Sequence, residues 1–232
     1  MAKQINNQIN LSNFLNLHQE VQFFKGNKYS SNEGKKILFL GKSHYLPPRY
    51  DNSIKKKSEW YQNDANYFGI NSKHLDYLNS EKIINEEVID KCRNKQCCKL
   101  NKKHEIYQHI ARACEEANLF SNNQCLYEIL GNIAFSNYFL RPAKAEKSLI
   151  NISKEDKRYA YEYLLHLDNS LTPDYIIPLY EKIVTSFDEI KTGGFYQYNS
   201  ADYHRIEKKM KKLSKYYQSF PYKELVDLLK TL

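Results

Sequence analysis

In KKILFLGKSHYLPP four consecutive apolar residues, 37–40, run directly into Gly41. A short apolar run entering a glycine is the pattern of a strand buried on both faces, and such strands belong to parallel sheets covered by helices. The pattern recurs. NIAFSNYFLRP predicts a second strand over 133–137, stopped by Pro142, and DYIIPLY a third over 175–179. FYQYN, after Gly193-Gly194, predicts a fourth over 195–198. Between them lie stripes at helical spacing: Ile106, Ile110, Ala113 and Ala117; Tyr161, Leu164 and Leu165, up to about Asn169; Ile183 and Phe187; Ile206, Met210, Leu213 and Tyr217. Ahead of the first strand, Leu11, Phe14, Leu15, His18 and Val21 predict a helix over about 8–25 that Gly26 closes.

Strands separated by helices imply right-handed crossovers. The predicted class is therefore α/β, a three-layer α/β/α arrangement with a central, mostly parallel four-stranded sheet. A chain of 232 residues suits one domain over 1–232, with the N-terminal helix at about 8–25 and a basic helical extension at about 203–232. A mean hydropathy of −0.73 and the lack of an 18-residue apolar run argue against a membrane span. The start, MAKQINNQINLSNF, has no apolar signal region, so a cytoplasmic protein without a membrane partner is expected.

Five cysteines, an odd number with Cys97 and Cys98 adjacent, read as reduced thiols rather than a disulfide framework. Cys92, Cys97, Cys98 and His104 are close in sequence but form no CxxC pair and no second knuckle follows, so no metal or other cofactor is expected. The net charge of +8 suits phosphate neutralisation, and equally a solvated lysine-rich surface. The 20 tyrosines and 11 phenylalanines serve either cores or base-stacking surfaces.

Parallel sheets bind ligands beyond the carboxyl ends of their strands, which selects residues 41–45, 137–138, 179–180 and 199–204. Gly41 allows a tight turn and close approach of a ligand, with Ser43, His44 and Tyr45 projecting beyond it; a plain strand-to-helix turn fits the same residues. The amide of Asn137 offers a donor and an acceptor that match a pyrimidine edge, although an Asn often bonds its own turn. LTPDYIIPLYEKIVTSF has no obvious catalytic group and reads as structural. In YNSADYHR, Ser200 or Asp202 is suited to capping the next helix.

Taken in order, FFKGNKY, ILFLGKSHY, IAFSNYFLRP, LTPDYIIPLYEKIVTSF and FYQYNSADYHR resemble the uracil-DNA-glycosylase-like superfamily, in particular a bacterial branch with a GESHY-type first motif. The resemblance spans most of the chain. It implies a site in which Ser43 and His44 line the sugar side and Asn137 reads the base edge beside Tyr45 and Tyr138. Asn199 or His204 would support the leaving group, with Gly41, Lys42 and Ser200 in the binding surface. Arg205, Lys208, Lys211, Lys212 and Lys215 would contact DNA phosphates. Two positions depart from the pattern. Lys42 stands where the branch has Glu, and Asn199-Ser200-Ala201 stands where an HPS-like triplet is expected. An ammonium cannot activate water as a carboxylate does. The expectations are accordingly a protein that acts on a nucleobase in DNA, with Ser43, His44 and Asn199 as catalytic candidates, or a non-catalytic module for nucleic acid, nucleotide or a protein partner on the same scaffold.

Overall fold

A computed structural model of the chain describes residues 10–31, 35–50, 59–90, 104–120, 125–144, 151–192, 199–216 and 220–232. The first apolar run is a strand, β2 (Ile37–Leu46), and Gly41 does not turn it: the chain stays extended for five residues more. The reason is its neighbour. β3 (Ala134–Lys144) also runs on, and the two pair in parallel from Leu38↔Ala134 through Gly41↔Asn137 to Leu46↔Lys144. Pro142 was expected to stop this strand and does not. The register shifts between Ser43↔Phe139 and Tyr45↔Ala143, so the proline falls in an irregularity where no ladder N–H is required.

β4 (Tyr175–Pro178) pairs in parallel with β2 on its other edge, Ile37↔Tyr175 to Leu40↔Pro178. The remaining strand of the sheet is not the expected one. It is β1 (Phe24–Lys25), antiparallel to β3, which gives the order β1-β3-β2-β4 and a mixed sheet. The segment expected as a strand at 195–198 lies outside the described residues. The N-terminal helix is shorter than expected: α1 (Leu11–Leu17) is capped by Asn10 and ends at His18. Gly26 closes no helix. It lies against Gly131, where a Cβ would sit 2.2 Å from the carbonyl oxygen, and its N–H bonds Ile133 O at 2.9 Å.

Between β2 and β3 the chain forms α2 (Ser72–Leu75), then α3 (Ser80–Lys82) leading into a π-helical stretch at Ile83–Ile89, then α4 (Glu105–Glu116) and α5 (Leu126–Leu130). After β3 comes α6 (Lys154–Leu171), started by a reciprocal Ser153–Asp156 cap and ended at Thr172 in the left-handed conformation ahead of Pro173. α7 (Glu181–Thr192) follows β4, and α8 (Ser200–Lys209) and α9 (Tyr222–Leu229) complete the chain.

Alternate residues of the strands enter two apolar clusters. Leu38, Leu40 and Ile176 join Tyr161, Leu164, Ile183 and Phe187, while Ile37, Phe39, Phe135 and Ile177 join Tyr107, Ile110, Ala113 and Leu225. Period-two alternation sends neighbours to opposite faces, and both faces here are apolar, which accounts for the unbroken ILFL run. The basic C-terminal helix is also shorter than its stripe suggested. Met210 caps α8 in an extended conformation and bridges Ile176 in parallel, so Lys211, Lys212 and Lys215 lie beyond the helix. Among the described residues no helix is long and apolar enough to cross a membrane.

Candidate functional site

β2 has β3 on one side and β4 on the other, so the crossover from β3 to β4 reverses direction across it. Sheets of this kind open a crevice at such a switch point. Here the switch point lies where β4 ends. Pro178 is opposite Leu40, and Leu179 N bonds Leu40 O at 3.1 Å as the chain leaves the sheet. From Gly41 onward no strand among the described residues pairs with the β4 side of β2, and Tyr180 and the first turn of α7 follow at that point. Tyr180 packs against both apolar clusters, as a residue at the end of the sheet should.

Gly41 and Asn137 face each other across the β2–β3 ladder. The missing side chain of Gly41 is occupied by its neighbours: a Cβ there would lie 2.6 Å from Asn137 Oδ1 and 2.6 Å from Phe135 Cζ. Tyr107 meets the Phe135 ring edge-on at 5.0 Å between centroids. Asn137 Nδ2 is 3.2 Å from His44 Nδ1, and that nitrogen is also 3.2 Å from Tyr77 O. The two contacts compete. A carbonyl only accepts, so its bond puts the proton on Nδ1, whereas the amide N–H needs that nitrogen bare; both are satisfied only if the amide turns its oxygen to the ring. Burial lowers the His44 pKa to about 4, against the opposing pull of the Tyr77 carbonyl and the Glu20 charge, so the ring is neutral at physiological pH.

Lys42 is only 7% exposed, and no carboxylate among the described residues pairs with it. Burial first, and the Lys182 ammonium beside it second, lower its pKa to about 8. Ser43 is buried and its Oγ finds no hydrogen-bond partner among the described residues. Tyr45 is 43% exposed and interacts with Tyr180, whose hydroxyl pKa burial and Tyr45 push up to about 12. Tyr77 is 40% exposed and stacks on His74, which receives a hydrogen bond from Arg49 Nη2.

The structure thus brings Gly41, His44 and Asn137 together; Lys42 takes the other face of β2, the one shared with Leu38 and Leu40, beside Lys182, and Tyr45 meets Tyr180. Tyr138 is not part of this group: its side chain is fully buried in the cluster that includes Phe187. Asn199 is the N-cap of α8, accepting from Ala201 N at 3.0 Å, and His204 pairs with Glu207 on the exposed face of that helix. Ser200, also exposed, opens α8. No hydrogen bond among the described residues joins Asn199, Ser200 or His204 to His44 or Asn137. The proposed phosphate contacts divide. Arg205 is held by Asp168 and Asp202, and Lys212 by Asp188. Lys211 lies over the Tyr175 ring, and Lys208 and Lys215 are exposed.

Sequence reasoning missed Tyr77, Tyr107, Phe135, Tyr180 and Lys182. Tyr180 and Lys182 were within reach, because they follow the end of a predicted strand in a segment that was read as structural. Tyr77 gave no signal, since it lies in the polar stretch after β2. Cys92, Cys97 and Cys98 lie outside the described residues, and His104 stacks on Tyr107 at the start of α4. Among the described residues no group of three or more His, Cys, Asp and Glu side chains is placed to hold a metal ion. No family model, no curated protein and no solved structure matches the chain.

Proposed function

We propose that the chain is a uracil-DNA-glycosylase-like protein that binds a nucleobase at the switch point of its sheet, with the two apolar clusters forming the helical layers of a three-layer α/β/α scaffold. One observation carries the reading: the Asn137 amide is seated on the bare backbone of Gly41 beside the Phe135 ring. An amide held in place by a neighbouring strand presents fixed hydrogen-bonding groups, and aromatic rings beside it suit a planar ligand. Tyr45, next to His44 in the chain, and Tyr77, whose carbonyl is 3.2 Å from His44 Nδ1, are exposed and offer rings on which a base can stack.

Binding is favoured over hydrolysis. Attack by water on a glycosidic carbon needs a group that takes its proton, and the branch's carboxylate position is held by Lys42. His44, neutral and tied to the Tyr77 carbonyl and the Asn137 amide, acts in this reading as the side chain that orients Asn137.

The test is fluorescence anisotropy with a labelled single-stranded oligonucleotide carrying one uracil, compared with the same strand carrying an abasic analogue there. The native protein is expected to prefer the uracil strand. Asn137→Ala should remove most of that preference, a loss of about 10- to 100-fold if one buried hydrogen-bonding edge is left unpaired. Equal affinity of the native protein for the two strands would overturn the reading.

A further inference from the structure

Lys42 and Lys182 are an unusual pair. A buried lysine is generally found beside a carboxylate, because an unpaired charge is costly to desolvate. Lys42 is 7% exposed, no carboxylate among the described residues pairs with either ammonium, and the group beside it carries the same charge. The backbone accounts for the meeting. Lys42 follows Leu40 by two residues on the face of β2 shared with Leu38 and Leu40, and β4 stops opposite Leu40. α7 starts three residues later and packs Ile183 and Phe187 into that same cluster, which sets Lys182 in its first turn above the end of β4. Glu181, the acid of that turn, is exposed and interacts with Tyr216. Two cations and the amino end of a 12-residue helix therefore meet beyond the end of β4.

We infer that Lys42, Lys182 and the first turn of α7 form a binding site for a phosphate monoester. A helix amino end directs N–H groups and partial positive charge at an anion, and two ammoniums complete its neutralisation. The charge count selects the ester. A phosphodiester within a strand carries one negative charge, whereas a monoester carries about −1.5 to −2 at neutral pH, the better match to two lysines. Burial and the Lys182 charge lower the Lys42 pKa, and a bound anion would restore the lysine's preference for the proton. The inference rests on the nucleobase reading only for what the phosphate is attached to, namely a nucleoside or the end of a strand.

Thermal unfolding of the full chain tests it, with inorganic phosphate, deoxyuridine monophosphate and deoxyuridine as probes. The native Tm is expected to rise with phosphate and further with the nucleotide, following the linkage of binding to stability. Lys42→Met should abolish the rise with phosphate, yet have a ligand-free Tm no lower than native, since it removes an unpaired buried charge. Lys182→Met, at an exposed position, should keep the fold and weaken phosphate binding at least tenfold. A native Tm indifferent to phosphate and nucleotide, or an equal rise in both Met variants, would overturn the site. Anisotropy with 5′-phosphorylated and unphosphorylated strands separates the two sources: a preference for the phosphorylated strand assigns a strand end, and binding of the mononucleotide alone assigns a free nucleotide. A phosphate response without any uracil preference would leave this site standing and remove the nucleobase reading.

Discussion

At Gly41 a single methyl group decides the geometry of the site. Its hydrogen leaves room for Asn137 Oδ1 and the edge of Phe135, each of which a Cβ would meet at 2.6 Å. Both are side-chain ends held by neighbours, Phe135 buried against Tyr107 and Asn137 3.2 Å from His44, so one of them must shift to admit a methyl group. Gly41→Ala is therefore expected to displace the amide, to cost about 1–3 kcal/mol of stability by urea unfolding, and to remove the uracil preference. His44 gives a second prediction at this scale. Its folded pKa of about 4 lies below the ordinary 6.5. Above pH 6.5 the ring is neutral in both states; between 6.5 and 4 only the unfolded chain takes the proton, so stability falls as the pH is lowered and levels off below 4. The loss is on the order of 3 kcal/mol. Urea unfolding from pH 7.5 to 4, compared with His44→Gln, isolates this contribution from carboxylates titrating in the same range. Identical slopes would mean that His44 titrates normally.

At the scale of elements, the apolar runs were legible and their ends were not. ILFL, IAF and YII each gave a strand because runs buried on both faces need no pattern beyond apolarity. The extensions of β2 and β3 to Leu46 and Lys144 escaped notice because each supplies the other's hydrogen bonds, a tertiary effect that overrides the local signals of Gly41 and Pro142. The antiparallel Phe24–Lys25 strand is too short to declare itself. The centre of the site was readable for a different reason: Gly41 and Asn137, expected at strand ends, lie mid-strand but fall opposite each other in the parallel β2–β3 register. Lys182 and Tyr77 come to β2 through packing alone. The buried pair of Arg141 and Asp156 was equally hidden. Asp156 accepts two hydrogen bonds from the guanidinium at 2.8 Å each, one from Tyr61 at 2.7 Å and two from Ser153. Burial pushes its pKa up, and the Arg141 contacts more than offset this, leaving it below the usual carboxylate value. Asp156→Ala strands a guanidinium in the core and should cost about 3–5 kcal/mol in urea unfolding. A cost near zero would mean that Arg141 turns to solvent.

For the molecule as a whole, the proposed nucleobase site raises the matter of chemistry on the base. A net charge of +8 suits a phosphate-bearing partner, but Arg205 and Lys212 are already engaged by carboxylates, so little of that charge is organised along the segment expected to contact phosphates. Catalysis turns instead on the residue after Gly41. An ammonium there neither takes a proton from water nor balances a cation-like sugar, and a positioned general base is worth about 100- to 10,000-fold. The native protein is thus expected to release no measurable uracil from single- or double-stranded DNA, scored as cleavage at the resulting abasic site. Lys42→Glu replaces the like-charged neighbour of Lys182 with an ion-pairing one, so the fold should tolerate it. If the Gly41–Asn137 geometry is that of a glycosylase, this variant should gain slow release, and Asn137→Ala added to it should abolish the gain. Robust release by the native protein would make His44 or Ser43 the catalytic group and overturn the assignment of Lys42 to an anion.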